Sequence, residues 1–297
     1  MRVSREADCK PAAQVPKQCD ICSVSVVMTA EFDLYATGYC AGMEHPLKRA
    51  LGGSRSAYLR LKLHWVNRQL VRLAAACSRS PRDLSVLEVG CADGALLRGL
   101  RDGGFCGFLH GCDISQQMVA CAARQDSRGR PIAYQLSTNA GLPYAEGQFD
   151  AVILSAVIHH VPIADRTVFF DECLRVVRTD GELLIIEHNP WNPVTRFVVA
   201  TTRIDRNARL ISAGRLQRLL QPVGQTLDRV EHMMFFPPRF ARFDFLDRWM
   251  SWFPCGGQYA AVCRKNGTRS GRGTRQLCDS MAGDVRVSAG SSMGVLS

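Results

Sequence analysis

Residues 86–97 read VLEVGCADGALL, and this stretch joins a strand pattern to a helix pattern. Its first half, up to Val89, consists mainly of aliphatic residues that favour a buried strand. Its second half is typical of a helix start, and Gly90 and Gly94 bracket the turn between the two halves. Glycine lets backbone amides approach a ligand closely, and the helix N-terminus adds exposed N–H groups. The stretch therefore predicts a nucleotide-binding corner at the carboxyl edge of a parallel sheet.

The charges around this turn argue against a phosphate ligand. No Lys-Ser or Lys-Thr follows it, and the glycine spacing is Gly-x-x-x-Gly rather than Gly-x-Gly-x-x-Gly. Glu88 and Asp93 would repel a pyrophosphate, whereas carboxylates suit an ammonium group or ribose hydroxyls. Asp113 ends a second apolar stretch nineteen residues after Gly94, where a carboxylate can accept from both hydroxyls of an adenosine ribose. These residues predict a ligand that carries adenosine and a positive charge but no phosphate.

The stretch resembles the first motif of class I S-adenosylmethionine-dependent methyltransferases, Glu/Asp-x-Gly-x-Gly-x-Gly, with Ala92 at the middle glycine. Three later strings are similar to the same family: FDAVILS at 149–155, AVIHHV at 156–161 and DECLRVVRTDG at 171–181. The string EHNPWNP at 187–193 resembles a subgroup of small-molecule methyltransferases. The resemblance covers about residues 30–265, and it implies that S-adenosyl-L-methionine is the cofactor.

The resemblance implies an α/β fold with a Rossmann-like seven-stranded sheet, mostly parallel with an antiparallel last strand, and helices on both faces. Apolar periodicity predicts an amphipathic helix at 57–77, with Arg60 and Lys62 facing out. Asp180 and Gly181 predict a turn before the fifth strand, and Trp249 is expected to share one side of the last helix with other apolar residues. Strands are predicted at about 84–90, 107–113, 131–137, 149–155, 183–187, 227–236 and 257–263, and shorter helices at about 93–101, 115–123, 212–224 and 240–252.

The chain divides into one folded domain and two flanking segments. Residues 1–27 lack apolar periodicity and are predicted to be a disordered leader, and residues 266–297 a disordered basic tail. The methyltransferase-like domain is predicted to span 28–265. Within it, residues 28–82 form an N-terminal lid and helix, and residues 189–211 form an insertion on the acceptor side.

The cofactor site is predicted from the turn motif and from what the resemblance implies. Met118 is expected against the adenine, although a core methionine explains it equally well. Thr138 and Asn139 stand where the family usually offers an acidic side chain to the adenine amino group, and Tyr39 belongs to the implied lid. The predicted cofactor-binding residues are Glu88, Gly90, Cys91, Asp93, Gly94, Asp113, Ile114, Met118, Thr138, Asn139, Ser155 and Tyr39.

His159 and His160 are the predicted catalytic residues. Methyl transfer from a sulfonium mainly requires that donor and acceptor are held in line and that water is excluded. A base is needed only if the acceptor arrives protonated, and a neutral imidazole can take that proton near pH 7. The alternative is that both histidines are packed or hydrogen-bonded at a helix start.

Acceptor choice is predicted to depend on residues 189–211. This segment mixes Trp191 and Phe197 with arginines such as Arg196 and Arg203. Arginine pairs bidentately with carboxylates and phosphates, so the segment suits an apolar or aromatic acceptor that carries an anionic group. The alternative is that these arginines only solvate a loop.

Composition narrows the remaining classes of function. The chain has 297 residues and a net charge of +10, but no cluster of basic and aromatic residues that would indicate nucleic-acid binding. No apolar run approaches the ~20 residues of a membrane span. The 13 cysteines are scattered, which favours reduced thiols and a cytoplasmic protein. Cys19 and Cys22 lack a second pair at zinc-finger spacing, so no metal site is predicted.

The sequence therefore predicts a methyltransferase that acts on a small molecule, with nucleic acid an unlikely acceptor. Two alternatives remain open at this point. One is an NAD-dependent oxidoreductase on a similar fold, and the other is a non-catalytic scaffold that keeps the fold. The sequence specifies neither the acceptor atom nor the oligomeric state.

Overall fold

The computed structural model describes residues 32–33, 36, 38, 55–125, 129–138, 141–237, 240 and 243–265. The predictions for the leader, for Tyr39, for Asn139 and for the tail lie outside these residues.

Seven strands in the described part of the chain form one sheet, in the order β3-β2-β1-β4-β5-β7-β6. The pairs β1–β2, β1–β4, β2–β3 and β4–β5 are parallel, whereas β7 is antiparallel to both β5 and β6. The predicted mostly parallel sheet with an antiparallel last strand is therefore confirmed. The strands are β1 Ser85–Val89, β2 Phe108–Asp113, β3 Ala133–Leu136, β4 Phe149–Ser155, β5 Val177–His188, β6 Arg229–Met233 and β7 Gln258–Arg264.

Helices cover both faces of this sheet, because alternate strand residues point to opposite sides. Leucines of α1 and α2 pack on one face, and α4 and α6 pack on the other. The helices are α1 Arg55–Ala76, α2 Ala95–Asp102, α3 Gln116–Arg124, α4 Arg166–Val176, α5 Pro193–Thr201, α6 Ala213–Leu220 and α7 Asp244–Trp249. Short 3₁₀ turns lie at Pro81–Asp83, Ile158–His160, Ile163–Asp165 and Arg203–Asp205.

One local prediction is wrong and one helix was not predicted. The expected turn at Gly181 is instead an irregularity inside the long strand β5, where Asp180 has a φ of 65°. The insertion predicted at residues 189–211 contains the helix α5, which Asn192 caps by accepting from the Thr195 N–H. Trp249 ends helix α7, and 80% of its surface is exposed.

The cysteines only partly follow the expectation of reduced thiols. Among the described residues, Cys121 is disulfide-bonded, which that expectation did not foresee. The free cysteines in the described part of the chain are Cys77, Cys91, Cys106, Cys112, Cys173, Cys255 and Cys263. The described helices include none that combines the length and the apolar character required to cross a bilayer.

Candidate active site

The turn between β1 and α2 has the conformation that its glycines predict. Gly90, Ala92 and Gly94 all have positive φ, at 70°, 48° and 73°. A Cβ at Gly94 would collide with the hydroxyl of Tyr134, and a Cβ at Gly90 would lie 2.6 Å from Val157 Cγ2. Both glycines are therefore required by conformation and by packing.

Asp113, at the end of the neighbouring strand β2, stabilises this turn through hydrogen bonds. Its Oδ2 accepts from the Ala92 N–H at 2.9 Å, and its Oδ1 accepts from the Ser115 N–H at 2.9 Å. Burial raises the pKa of the Asp113 carboxyl, while the backbone N–H groups around it oppose that rise. Because a carboxylate oxygen has more than one lone pair, both oxygens keep the capacity to accept from a ligand.

Glu88 near the end of β1 is a buried carboxylate whose Oε2 has no hydrogen-bond partner among the described residues. Burial raises the pKa of this carboxyl well above its usual value of 4.5, and the positive charge of Lys62 opposes that rise. A buried polar group of this kind costs free energy unless a partner satisfies it. Glu88 also lines the cavity described below, so a ligand with an N–H or O–H donor can supply that partner.

Helix α1 contributes charged residues to this site, which sequence reasoning missed. Lys62, predicted to face out, lines the cavity instead, and its Nζ donates to Ser155 Oγ at 3.1 Å. Arg55 forms a bidentate pair with Asp93, with N···O distances of 2.8 and 2.5 Å. Positions 55, 58, 59 and 62 lie on one face of α1, and all four line the cavity. Their spacing of three and four residues was the feature of the sequence that could have indicated a functional face on this helix.

A cavity of about 1220 Å³ lies at the carboxyl ends of the parallel strands. This exceeds the ~300–1,000 Å³ of typical small-ligand sites, so there is room for a cofactor and an acceptor. Gly94 caps α2 without lining the cavity. The predicted cofactor-binding residues that line it are Glu88, Gly90, Cys91, Asp93, Asp113, Ile114, Met118, Thr138 and Ser155.

His159 lies in the same cavity but is not a free base. Its Nδ1 lies 2.6 Å from Glu187 Oε2, and Glu187 Oε1 accepts from the Val157 and Ile158 N–H groups. Burial lowers the pKa of His159, but the charge of Glu187 and the neighbouring carboxylate of Asp205 outweigh it and raise the pKa to about 9. With a pKa of about 9 the His159 ring already carries the extra proton at pH 7, which does not favour a general base, and its catalytic role stays a prediction.

His160 is the better of the two predicted bases. Burial and the nearby charge of His159 lower its pKa to about 4, so its imidazole is neutral near pH 7. Its ring contacts Phe32 edge-on, with the ring centroids 5.3 Å apart. The neutral imidazole therefore has one ring nitrogen that can accept a proton at pH 7, although a pKa of about 4 makes it a weak base.

Asn189 and Asn192, which follow β5, hold the start of the insertion in place through hydrogen bonds. Asn189 donates to the carbonyls of Pro254 and Gly256 at 2.9 and 2.8 Å, and Asn192 donates to Cys255 O at 2.8 Å. These bonds fix α5 against the loop before β7. The apolar residues Val194, Val198 and Val199 of α5 then line the cavity.

The arginines of this insertion do not line the cavity. Arg196, Arg203, Arg206 and Arg209 are exposed, and none of them lines it. Trp191 and Phe197 are also mostly exposed, at 71% and 57%. The interpretation of these arginines as partners for an anionic acceptor is therefore wrong. The alternative, that they form a solvated surface, agrees with their exposure.

Comparison with known proteins identifies the central part of the chain. A family described as "Methyltransferase domain" matches residues 87–185, which run from β1 into β5. Residues 87–185 are thus similar to a methyltransferase domain. This segment contains most of the predicted cofactor residues, both histidines and the turn motif.

Two curated relatives each match somewhat more than a third of this chain. The demethylmenaquinone methyltransferase of Beutenbergia cavernae is 34% identical over 111 residues, which is 36% of this chain and 43% of that protein. The tRNA (carboxymethyluridine(34)-5-O)-methyltransferase of Arabidopsis thaliana is 33% identical over 115 residues, which is 38% of this chain and 26% of that protein. The chain thus spans less than half the length of either relative.

Two solved structures share the fold of the methyltransferase domain and its flanking elements. Magnesium protoporphyrin IX methyltransferase from Synechocystis PCC 6803, with bound SAH, has a TM-score of 0.55 and 15% identity, and the match covers 81% of this chain and 99% of that one. A putative methyltransferase in complex with the Trm112 activator of Haloferax volcanii has a TM-score of 0.53 and 16% identity, with 82% and 100% covered. At these identities the likeness confirms the fold.

Three residues that line or adjoin the cavity were missed as site residues: Glu187, Asp205 and Gln258. Glu187 had one signal, an acidic residue that ends an apolar strand. No feature of the sequence pointed to Asp205, because it lies in an irregular segment without a recognisable motif. Gln258 opens β7, lines the cavity, and has an Oε1 without a hydrogen-bond partner among the described residues.

Proposed function

We propose that this protein transfers a methyl group from S-adenosyl-L-methionine to a small-molecule acceptor. The observation that carries the proposal is the pair of buried carboxylates, Glu88 and Asp113, on the neighbouring strands β1 and β2. They flank the Gly90–Gly94 turn and face one cavity. A cofactor with an ammonium group and ribose hydroxyls satisfies both carboxylates, whereas a pyrophosphate would be repelled by them.

Several of the lining residues suit particular parts of this cofactor. Asp113 would accept from the ribose hydroxyls, and Glu88 would accept from the ammonium of the methionine part. Met118 would offer an apolar contact for the adenine, and Thr138 also lines the cavity. S-adenosylmethionine supplies an activated methyl group when bound.

The chain's own contribution to the reaction is placement and exclusion of water. Ser155 and Lys62 line the cavity and are joined by a hydrogen bond, and residues of α5 form another part of its lining. His160 is available to accept a proton from an acceptor that arrives protonated. In-line placement can lower a barrier by ~7–11 kcal/mol, so no strong base is needed to explain a useful rate.

The acceptor end of the cavity favours an apolar small molecule. The apolar residues that line the cavity and lie outside the predicted cofactor site include Val194, Val198, Val199, Ile204 and Phe235. The insertion's arginines are turned to solvent, so no cationic surface on this segment enters the cavity. An NAD-dependent oxidoreductase is not favoured, because the domain match and the sheet order are those of methyltransferases.

Calorimetry with S-adenosylmethionine, S-adenosylhomocysteine and NAD tests the cofactor. We expect the first two to bind and NAD not to bind. Asp113→Asn should weaken S-adenosylhomocysteine binding tenfold to hundredfold, since hydrogen bonds to a charged group contribute about 1.5–3 kcal/mol. Asparagine is preferable to alanine here because it can still accept from one of the two backbone N–H groups that Asp113 holds. The exposed Asp102→Asn is the matched control and should bind normally.

Transfer of a tritiated methyl group tests the activity and the acceptor class. Small-molecule extracts and RNA should be offered separately to the protein and to Asp113→Asn. Label in the small-molecule fraction that disappears with Asp113→Asn is the expected result. Label in RNA would replace the small-molecule proposal by a nucleic-acid acceptor. Normal S-adenosylhomocysteine binding without transfer to either fraction would favour the non-catalytic scaffold.

A further inference from the structure

We propose that His159, His160 and Asp205 bind a divalent transition-metal ion at the acceptor end of the cavity. Asp205 Oδ1 lies 3.6 Å from His159 Nε2 and 3.4 Å from His160 Nε2. One ligand atom from each of the three residues lies within 4.8 Å of the others. The histidines come from the 3₁₀ turn after β4, and the aspartate comes from the 3₁₀ turn after α5.

These separations are those of a coordination shell. Zinc holds histidine nitrogen and carboxylate oxygen at ~2.0–2.2 Å, so neighbouring ligand atoms of a tetrahedral site lie about 3.4 Å apart. A direct N–H···O bond would instead bring nitrogen and oxygen to about 2.7–3.2 Å. The N···O distances of 3.4 and 3.6 Å are longer than that range and match the metal geometry.

The surroundings of His159 also have the form of a metal site. Metal-bound histidines usually donate their other ring N–H to a carboxylate, which fixes the ring and its tautomer. Glu187 takes this part, with Oε2 at 2.6 Å from Nδ1, and it is itself held by the N–H groups of Val157 and Ile158. The Nε2 atom of His159 is thereby aimed at Asp205.

The backbone holds the two ligand segments together. The Arg209 N–H donates to the His159 carbonyl at 2.7 Å, which ties the chain after Asp205 to the turn that carries the histidines. The Asp205 N–H donates to the Thr202 carbonyl at 3.1 Å. Backbone hydrogen bonds, one between the two segments and one within the second, therefore hold the ligand positions.

The ligand set indicates the kind of ion and its open position. Two imidazoles and one carboxylate suit zinc and other first-row divalent ions. All three residues line the cavity, so the remaining coordination position faces the space for the acceptor. An oxygen of the acceptor, such as a hydroxyl or a carbonyl, is the class of ligand that would fill it, and with the ion bound His160 acts as a ligand and no longer as a base. This last step rests on the proposed function, whereas metal binding itself does not.

The sequence predicted no metal site because the ligands do not form a spaced motif. His160 and Asp205 are separated by 44 intervening residues, and α4, β5 and α5 lie between them. Only the fold of the insertion against the turn after β4 brings the three side chains together.

Metal titration of the tag-free full chain tests the proposal. After dialysis against a chelator, cobalt(II) should produce visible absorption bands that saturate at about one ion per chain, and zinc should displace it. Asp205→Asn and His160→Ala should each weaken binding at least tenfold. Glu187→Gln should weaken it ~10–100-fold by loosening His159. His64→Ala changes an exposed histidine of α1 and should leave binding unchanged.

Two results would overturn the metal site. One is the absence of saturable cobalt binding, and the other is equal binding by Asp205→Asn and His64→Ala. S-adenosylhomocysteine affinity of each variant, measured in chelator, reports whether the variant is folded. It also separates the two proposals, because loss of metal binding with normal cofactor binding removes the metal site alone. If the unaltered protein did not bind S-adenosylhomocysteine, that result would count against the proposed function and not against the metal site.

Discussion

Ala92 is the residue at which this chain departs from the glycine pattern of the turn, and it has a φ of 48°. A residue with a Cβ loses about 1–2 kcal/mol in the left-handed region. Ala92→Gly should therefore raise the free energy of unfolding by up to about 1 kcal/mol, because glycine also costs more chain entropy. Urea denaturation measures the change. Ala123→Gly in helix α3 is the matched control and should have the opposite sign.

Glu88 gives the apoprotein a pH dependence of known sign. Burial raises the pKa of its carboxyl above the usual 4.5, so the unfolded chain loses this proton at lower pH than the folded chain. Its contribution to stability is complete below pH 4.5 and is lost as the pH rises through the raised pKa. Stability curves of the protein and of Glu88→Gln, measured without ligand, should thus diverge above pH 4.5 in favour of the variant. Parallel curves would mean that Glu88 is solvated in the folded state.

The donor half of the site was largely predictable from the sequence, residue by residue. Glu88, Asp113 and Ser155 lie at or near the carboxyl ends of apolar strands, and these ends of neighbouring parallel strands meet at one edge of a sheet. Lys62 and Asp205 were not predictable in this way. Lys62 meets Ser155 across 93 positions of sequence, and such a contact depends on how whole helices pack.

Among the elements, strand β4 is joined to its neighbours at the end opposite to the cavity by Asp150. This buried carboxylate pairs with Arg79 and with Arg178, and it accepts from the Ser85 N–H at 2.8 Å. Asp150→Ala should cost about 1–3 kcal/mol of stability, chiefly because the Ser85 N–H loses its partner. Thermal unfolding measures this cost. S-adenosylhomocysteine affinity should stay unchanged, and a loss of affinity would show that the two ends of the sheet are coupled.

The elements themselves were predicted unevenly, for local reasons. Strand β4 has the predicted bounds, because a buried parallel strand is a nearly continuous apolar run. Helix α5 was missed although Asn192 and Pro193 are typical of a helix start. Two prolines and two asparagines in one short string favoured a loop, and the contacts with residues 254–257 that hold this segment are not visible in the sequence.

On the scale of the whole molecule, the position of the hydrophobic core indicates which terminal segments of the chain can be removed. All seven strands and both hydrophobic clusters lie between residues 55 and 265. A fragment of residues 28–265 should fold and bind S-adenosylhomocysteine like the full chain, because the flanking sequences have no pattern able to bury apolar area. Calorimetry on both proteins compares their affinities. A fragment that aggregates, or that binds more than tenfold more weakly, would contradict the predicted domain limits.

The position of β7 between β5 and β6 has a consequence for synthesis on the ribosome. A nascent chain emerges from its N-terminus, so β6 appears before the strand that must attach it to the sheet. Until Gln258–Arg264 has been translated, β5 presents an unpaired edge of the kind that recruits other chains. A premature stop codon just before Gln258 would therefore remove one strand from the sequence but two strand interfaces from the sheet. Such a product would depend on chaperones to an extent that the finished protein does not.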